Sequence, residues 1–125
     1  MILDTNALSA FFEGDPPLKA IVAKAVKISL PVIVLGEYRF GLFGSRLRKV
    51  IEPALDGLQA MADILPVDAE TVLPYAKLCD QLKRAGTPIP FNDLWIAALS
   101  VQHGLPIVSR DKHFDLVPGI LRVTW

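Results

Sequence analysis

Four acidic residues stand at positions from which they could reach one another in a folded chain. Asp4 ends an apolar stretch in MILDTN, and Asp111 follows another by two residues in VSRDKHF. Asp93 begins an apolar helical stretch in PFNDLWIAA, and Glu37 lies inside a helical stretch in LGEYRFG. Two like charges about 4 Å apart repel by roughly 4 kcal/mol at an effective dielectric constant of about 20. We therefore expect these carboxylates, if clustered, to hold a cation or to take up protons.

The cation that suits such a cluster is Mg²⁺ or Mn²⁺, because both ions prefer hard oxygen ligands. A divalent ion in that position can polarise a phosphate oxygen and lower the pKa of water. Hydrolysis of a phosphodiester needs both effects. The acids thus predict a metal-dependent site for phosphodiester chemistry.

Each acid also has a plainer interpretation. Asp4 could only terminate a helix, and Asp93 could only complement a helix dipole. Asp111 could be a solvated loop residue. Glu37 is harder to explain in this way, because ionised glutamate is rarely buried without a partner, although Arg39 could supply one. The joint placement of the acids favours a site more than any one of them does.

The elements that would position these acids follow from the hydrophobic pattern. Strands are predicted at 1–4, 28–30, 64–67, 106–109 and 121–124, and helices at 7–13, 17–27, 31–43, 45–60, 68–85 and 94–101. Thr5 or Asn6 is expected to cap the first helix. Apolar strands that alternate with helices predict an α/β fold, a three-layer α/β/α sandwich around a parallel sheet. Ligands of such sheets bind at the carboxyl edge where the strand order reverses.

Length and composition limit the kind of protein that could carry this site. The chain has 125 residues, so we expect one domain over 1–125. Its mean hydropathy is +0.42, and a homodimer or a tight protein partner is expected to cover the apolar excess. We expect no membrane span and no secretory signal, and the single Cys79 suits a reducing cytoplasm. The net charge is zero, so nucleic-acid contacts must come from local patches.

The motifs around the acids resemble the PIN-domain family, and within it the VapC-type toxin ribonucleases of toxin–antitoxin pairs. ILDTNALS resembles the opening strand and first acid of the family. ISLPVIVLGEYRFG resembles the second strand and the helix in which a glutamate precedes a glycine by four residues. GTPIPFNDLWIAALSVQHGLPIVSRDKHFDLVPG resembles the closing block with the third and fourth acids. The resemblance runs the length of the chain.

This resemblance implies a five-stranded parallel sheet in the order 3-2-1-4-5 and an Mg²⁺- or Mn²⁺-dependent endoribonuclease. It implies that three of the acids bind the metal and that Glu37 positions or deprotonates the attacking water. It also implies an RNA substrate, a small antitoxin that blocks the site, and a second copy of the chain as partners. The catalytic positions that carry over are Asp4, Glu37, Asp93 and Asp111, of which Asp4, Asp93 and Asp111 are the metal ligands.

Other polar residues have supporting roles in this interpretation. Asn6 and Ser109 match family positions that orient ligands or water. Arg39, Arg110 and Lys112 lie near the acids in sequence and could contact flanking phosphates. His113 is a possible general acid, although a hydrogen-bonded structural role beside Phe114 is the plainer interpretation.

Two alternatives remain open at this point. A receiver-like phosphoacceptor module has a similar size and an acidic Mg²⁺ pocket. It requires an aspartate at the end of a central third strand and a lysine after the fifth. Here the third strand runs into LPVDAE, and the fifth contains only Arg122. A catalytically inert PIN scaffold is the other alternative, and the complete set of acids argues against it.

Overall fold

A five-stranded, all-parallel sheet forms the centre of the molecule, which a computed structural model describes over residues 1–125. With the strands numbered along the chain, their order in the sheet is 3-2-1-4-5. This confirms the predicted fold class and order, although all strands except the second are shorter than the sequence pattern indicated. The strands are β1 (Ile2–Leu3), β2 (Ser29–Pro31), β3 (Asp63–Leu65), β4 (Ile107–Val108) and β5 (Arg122–Val123).

Helices cover both faces of this sheet. They are α1 (Thr5–Glu13), α2 (Pro16–Lys24), α3 (Val32–Leu42), α4 (Arg48–Met61), α5 (Val72–Arg84) and α6 (Phe91–His103). Each corresponds to a predicted helix, with ends that differ by up to four residues. Two short 3₁₀ turns, Ala69–Thr71 and Lys112–Leu116, were not predicted. Turns of this length have no helical periodicity that a sequence pattern could reveal.

The two strands that carry functional residues at their ends are direct neighbours. Ile2 pairs with Ile107 and Leu3 pairs with Val108 in parallel register. These four side chains are all fully buried, as expected for strands covered on both faces. Because the strands run in parallel and in register, the residues that follow them emerge at the same edge of the sheet.

Helix α6 is buried on most sides, as its apolar sequence predicted. Leu94, Leu99 and the residues of 96–98 are all buried. The helix begins at Phe91, three residues before the predicted start, and ends at His103. Gly104 follows as its cap, with a φ of 63° in the left-handed region that glycine tolerates. Its first turn therefore has a fixed position against the sheet.

Large apolar side chains also lie on the surface, at the corner between α3 and α4. Phe40, Phe43 and Val50 are 79%, 66% and 72% exposed, and the Arg48 guanidinium lies 4.2 Å from the centre of the Phe43 ring. None of the helices combines the length and the apolar character that crossing a bilayer requires. Exposed apolar groups of this kind are typical of surfaces that another protein covers.

The burial of α6 leads to a test of its contribution to stability. Leu99 is fully buried, and Leu99→Ala should lower the free energy of unfolding by about 2–4 kcal/mol because it leaves a cavity in the core. Val101, on the same helix, is 41% exposed, and Val101→Ala should cost less than about 1 kcal/mol. Urea denaturation followed by circular dichroism measures both changes. Equal losses from the two variants would contradict this account of the core.

Candidate metal centre

Asp4 combines two functions at the end of β1. Its Oδ1 accepts a hydrogen bond of 2.7 Å from the backbone N–H of Ala7, so Asp4 is the cap of α1. The prediction that Thr5 or Asn6 caps this helix is wrong, because the helix already begins at Thr5. The other oxygen, Oδ2, accepts a hydrogen bond from the Ser109 hydroxyl. Asp4 is only 4% exposed, so both oxygens are held in a buried environment.

Ser109 links Asp4 to the loop that follows β4. Its side chain is fully buried, and its hydroxyl donates to Asp4 while accepting a hydrogen bond of 2.9 Å from the backbone N–H of Asp111. One hydroxyl group thus connects the ends of two neighbouring strands. The structure therefore brings the predicted supporting residue Ser109 to the first and fourth acids.

Asp93 and Asp111 meet at this edge, together with a histidine. The Nδ1 atom of His113 lies 3.1 Å from Oδ1 of Asp111 and 3.5 Å from Oδ2 of Asp93. Potential ligand atoms of these three residues all lie within 4.8 Å of one another. Asp111 also caps the second 3₁₀ turn, because its Oδ1 accepts from the backbone N–H of His113 at 2.9 Å. The spacing Asp-x-His in the sequence could have drawn attention to this histidine.

Glu37 enters the site from α3 with one oxygen unpaired. Its Oε2 accepts a hydrogen bond of 3.3 Å from the Thr5 hydroxyl, whereas Oε1 is buried and has no hydrogen-bond partner. Arg39 does not fill that role, nor does it lie with the acids. Its guanidinium donates to Asp56 at 2.6 Å and to Gln59 at 3.1 Å, because residues two apart on a helix point to opposite sides.

The pKa values of two acids rise in this environment. Burial raises the pKa of Asp4 to about 6 from its usual 3.8; the charges of Asp93 and Asp111 add to the rise, and the hydrogen bonds from Ser109 and Ala7 oppose it. Burial also raises the pKa of Asp93, and the charges of Asp111 and Glu37 contribute in the same direction. Asp4 and Asp93 are thus both affected by neighbouring acids, which places these carboxylates near one another. Mutual repulsion of this kind is what a bound cation relieves.

The groups at this edge fit a divalent metal ion. Asp93 and Asp111 offer carboxylate oxygens in close proximity, and Glu37 has a buried oxygen that lacks any partner. An unpaired buried acceptor costs free energy unless a donor or a cation faces it. Oxygen-rich clusters of this type suit Mg²⁺ and Mn²⁺.

Polar and basic residues border the acidic cluster. A cavity of about 380 Å³ opens between α1, α3 and the start of α4, and Thr5, Asn6 and Glu37 form part of its lining. The guanidinium of Arg110 is 3.1 Å from Oδ2 of Asp15. Lys112 is exposed on the 3₁₀ turn. Asn6 thus shares a cavity with Glu37. Arg110 is paired with Asp15, and both Arg110 and Lys112 are next to Asp111 in the sequence only. Arg39 contacts α4 instead.

Comparisons with known proteins agree with this geometry. The family model of the PIN domain matches residues 1–120. The VapC ribonuclease Y4jK of Sinorhizobium fredii is 33% identical, in an alignment that covers 89% of this chain and 86% of the relative. The structure of VapBC-1 from nontypeable Haemophilus influenzae is similar with a TM-score of 0.86 and 25% identity, covering 99% of this chain and 96% of the other. The structure of VapBC-5 from Mycobacterium tuberculosis, a member of the VapBC family of toxin–antitoxin systems, has a TM-score of 0.70 and 27% identity, with 98% and 97% covered.

The raised pKa of Asp4 predicts how the stability of the metal-free protein depends on pH. The folded-state pKa is about 6 and the ordinary value is 3.8, so the contribution of Asp4 is fully present below about pH 4 and is lost as the pH rises through 6. Relative to Asp4→Asn, which can still cap α1, the wild type should lose roughly 2–3 kcal/mol of unfolding free energy between pH 4 and pH 8.

Chemical denaturation in the presence of a chelator, repeated across this pH range for both proteins, measures the difference. Addition of Mg²⁺ or Mn²⁺ should reduce the loss, because a cation favours the ionised carboxylate. A difference between the two proteins that stays constant from pH 4 to pH 8 would contradict the prediction.

Proposed function

Because this chain belongs to the PIN-domain family, and within it to the VapC ribonucleases, we propose that it is an endoribonuclease and the toxin of a VapBC-type toxin–antitoxin pair. The observation that carries the proposal is the convergence of Asp4, Asp93 and Asp111 at the adjoining ends of β1, β4 and α6. Residues 1–125 act in this proposal as one PIN domain in the cytoplasm. RNA is the substrate, and a phosphodiester bond is hydrolysed.

The metal cofactor in this proposal is Mg²⁺ or Mn²⁺, held by Asp4, Asp93 and Asp111. When bound, such an ion supplies positive charge to the phosphate and makes water more acidic. Ser109 positions Asp4 through its hydroxyl, and Ala7 fixes the other oxygen of the same carboxylate. These contacts orient Asp4 before any substrate arrives.

Glu37 is the residue best placed to receive a proton. Its Oε2 is anchored by the Thr5 hydroxyl, which leaves Oε1 free of protein partners. In the proposed reaction the oxygen of a water molecule attacks phosphorus and gives its proton to Glu37. The bond between phosphorus and the 3′ oxygen breaks, and that oxygen takes up a proton. The products carry a 5′-phosphate and a 3′-hydroxyl.

The border of the site supplies the contacts for RNA in this proposal. Arg110 and Lys112 flank Asp111 and are both exposed, so they can contact phosphates on either side of the scissile bond. Asn6 is exposed in the lining of the adjoining cavity and can orient a ligand or water. The net charge of zero means that these few local charges must supply the attraction.

The proposed protein partners are a small antitoxin and a second copy of the chain. The similarity of this fold to the structures of VapBC-1 and VapBC-5 supports an antitoxin as one partner. The exposed apolar corner with Phe40, Phe43 and Val50 supports the idea that another chain covers this surface.

The receiver-like alternative is wrong, because receiver folds have the strand order 2-1-3-4-5 and this sheet has the order 3-2-1-4-5.

The first test of the proposed reaction removes one metal ligand. Asp93→Asn should lower the single-turnover rate of RNA cleavage in Mg²⁺ by about 100-fold or more, because one carboxylate of the metal site is lost. Asp80→Asn, an exposed substitution on α5, serves as the control and should cleave as the wild type does. A fluorescent RNA pool, assayed with metal and with a chelator, gives the rates.

The same variants test whether growth arrest in a living cell depends on RNA cleavage. Expression of the wild type or of Asp80→Asn should arrest bacterial growth, and expression of Asp93→Asn should not. Full cleavage by purified Asp93→Asn would remove the assignment of the site. An inactive wild type, folded and supplied with metal, would instead favour the inert-scaffold alternative.

The second test separates proton transfer from metal binding. Glu37→Gln keeps an oxygen for the Thr5 hydroxyl but cannot accept the proton, so the cleavage rate should fall by about 10²–10⁴-fold. Its thermal stabilisation by Mn²⁺ should remain close to that of the wild type. A rate that stays within a few-fold of the wild type would exclude Glu37 as the base.

A further inference from the structure

A nitrogen atom lies among the carboxylate oxygens of the metal centre. Nδ1 of His113 is 3.1 Å from Oδ1 of Asp111 and 3.5 Å from Oδ2 of Asp93. Two ligand atoms that are each about 2.1 Å from one ion lie about 3.0 Å apart at a right angle and about 3.4 Å apart at a tetrahedral angle. The two observed distances are close to these values. The spacing is therefore that of atoms able to share one ion.

The local fold holds His113 in this place. The 3₁₀ turn Lys112–Leu116 begins at the Asp111 cap, and the next residue after His113, Phe114, is buried in the core with 1% exposure. The backbone N–H of His113 is bonded to Oδ1 of Asp111. The side chain itself is 48% exposed, so an ion can reach it from solvent. An anchored backbone and an accessible ring are what a metal ligand requires.

A simple ion pair between His113 and the two acids would produce the same contacts, but it would leave the site unsatisfied. With the imidazole in place, Oε1 of Glu37 is still buried without a partner. The charge of Glu37 also acts on Asp93, so this unpaired oxygen belongs to the same cluster. The imidazole already contacts Asp93 and Asp111 through Nδ1. Oε1 therefore still needs a donor, and water held by a cation between these acids would supply one.

We propose that His113 is a ligand of the metal ion through Nδ1, alongside Asp93 and Asp111, and that the site therefore binds Mn²⁺ more tightly than Mg²⁺. Imidazole nitrogen is a good ligand for first-row transition ions, whereas Mg²⁺ prefers oxygen alone. A mixed nitrogen and oxygen set thus selects against Mg²⁺. This inference rests on the metal centre of the proposed function and adds a ligand to it.

Electron spin-echo spectroscopy of bound Mn²⁺ tests the ligand directly, because a coordinated imidazole gives a nitrogen modulation. The wild type should show this modulation, and His113→Gln should lose it. His103→Gln is the matched control, since His103 is exposed at the opposite end of α6, and this variant should keep the signal. Wild-type protein labelled with ¹⁵N-histidine should show the altered modulation of the isotope, which tests the ligand without any substitution.

Calorimetric titration with each metal tests the selectivity. The ratio of the Kd for Mg²⁺ to the Kd for Mn²⁺ should fall by about 10-fold or more in His113→Gln, chiefly through weaker Mn²⁺ binding. Wild-type protein that binds Mn²⁺ without a nitrogen signal, or with an unchanged ratio in the variant, would overturn the inference and leave the proposed function intact. Wild-type protein that binds neither ion would overturn both.

Discussion

The hydrogen bond from the Ser109 hydroxyl to Asp4 joins the ends of the two neighbouring strands on which the candidate metal centre is built. The same hydroxyl accepts from the backbone of Asp111, so it also fixes where the loop after β4 turns. Asp4 in turn caps α1 by accepting a hydrogen bond from the backbone N–H of Ala7. Asp4 and Ser109 are both buried, so water cannot easily reach them. Breaking the hydrogen bond between them would therefore leave buried polar atoms without partners. Sheet, helix and loop therefore share one polar connection, and the acidic cluster forms around it.

The cluster is a local concentration of negative charge in a molecule whose net charge is zero. Burial is the main cause of the raised pKa values of Asp4 and Asp93, and repulsion from the neighbouring acids adds to it. An RNA phosphate would add a further negative charge to the same place. In the proposed function a cation offsets both repulsions, so the binding of metal and of RNA would be coupled.

Much of this arrangement followed from the sequence. Hydrophobic periodicity gave the helices and strands, and the resemblance to a family gave the strand order that places Asp4 beside Asp111. The pattern could not give the cap of α1, because whether Asp4 or Thr5 caps depends on the backbone angles at one residue. It assigned Arg39 to the site from its closeness in the sequence, whereas the helical twist turns that side chain to α4. The sequence pattern did not indicate the position of His113 beside Asp93 and Asp111, because this residue lies on a short turn with no periodicity.

The two kinds of acid in this site differ in what their loss would mean for the folded chain. Asp4 caps a helix and receives a buried hydroxyl, so its removal breaks contacts that the fold uses. Glu37 keeps an oxygen buried without a partner, so an apolar residue in its place would relieve a strain. In descendants that are no longer selected for RNA cleavage, Glu37 should therefore be substituted well before Asp4. Descendants that no longer cleave RNA would therefore keep an aspartate or an asparagine at position 4, because either residue can cap α1.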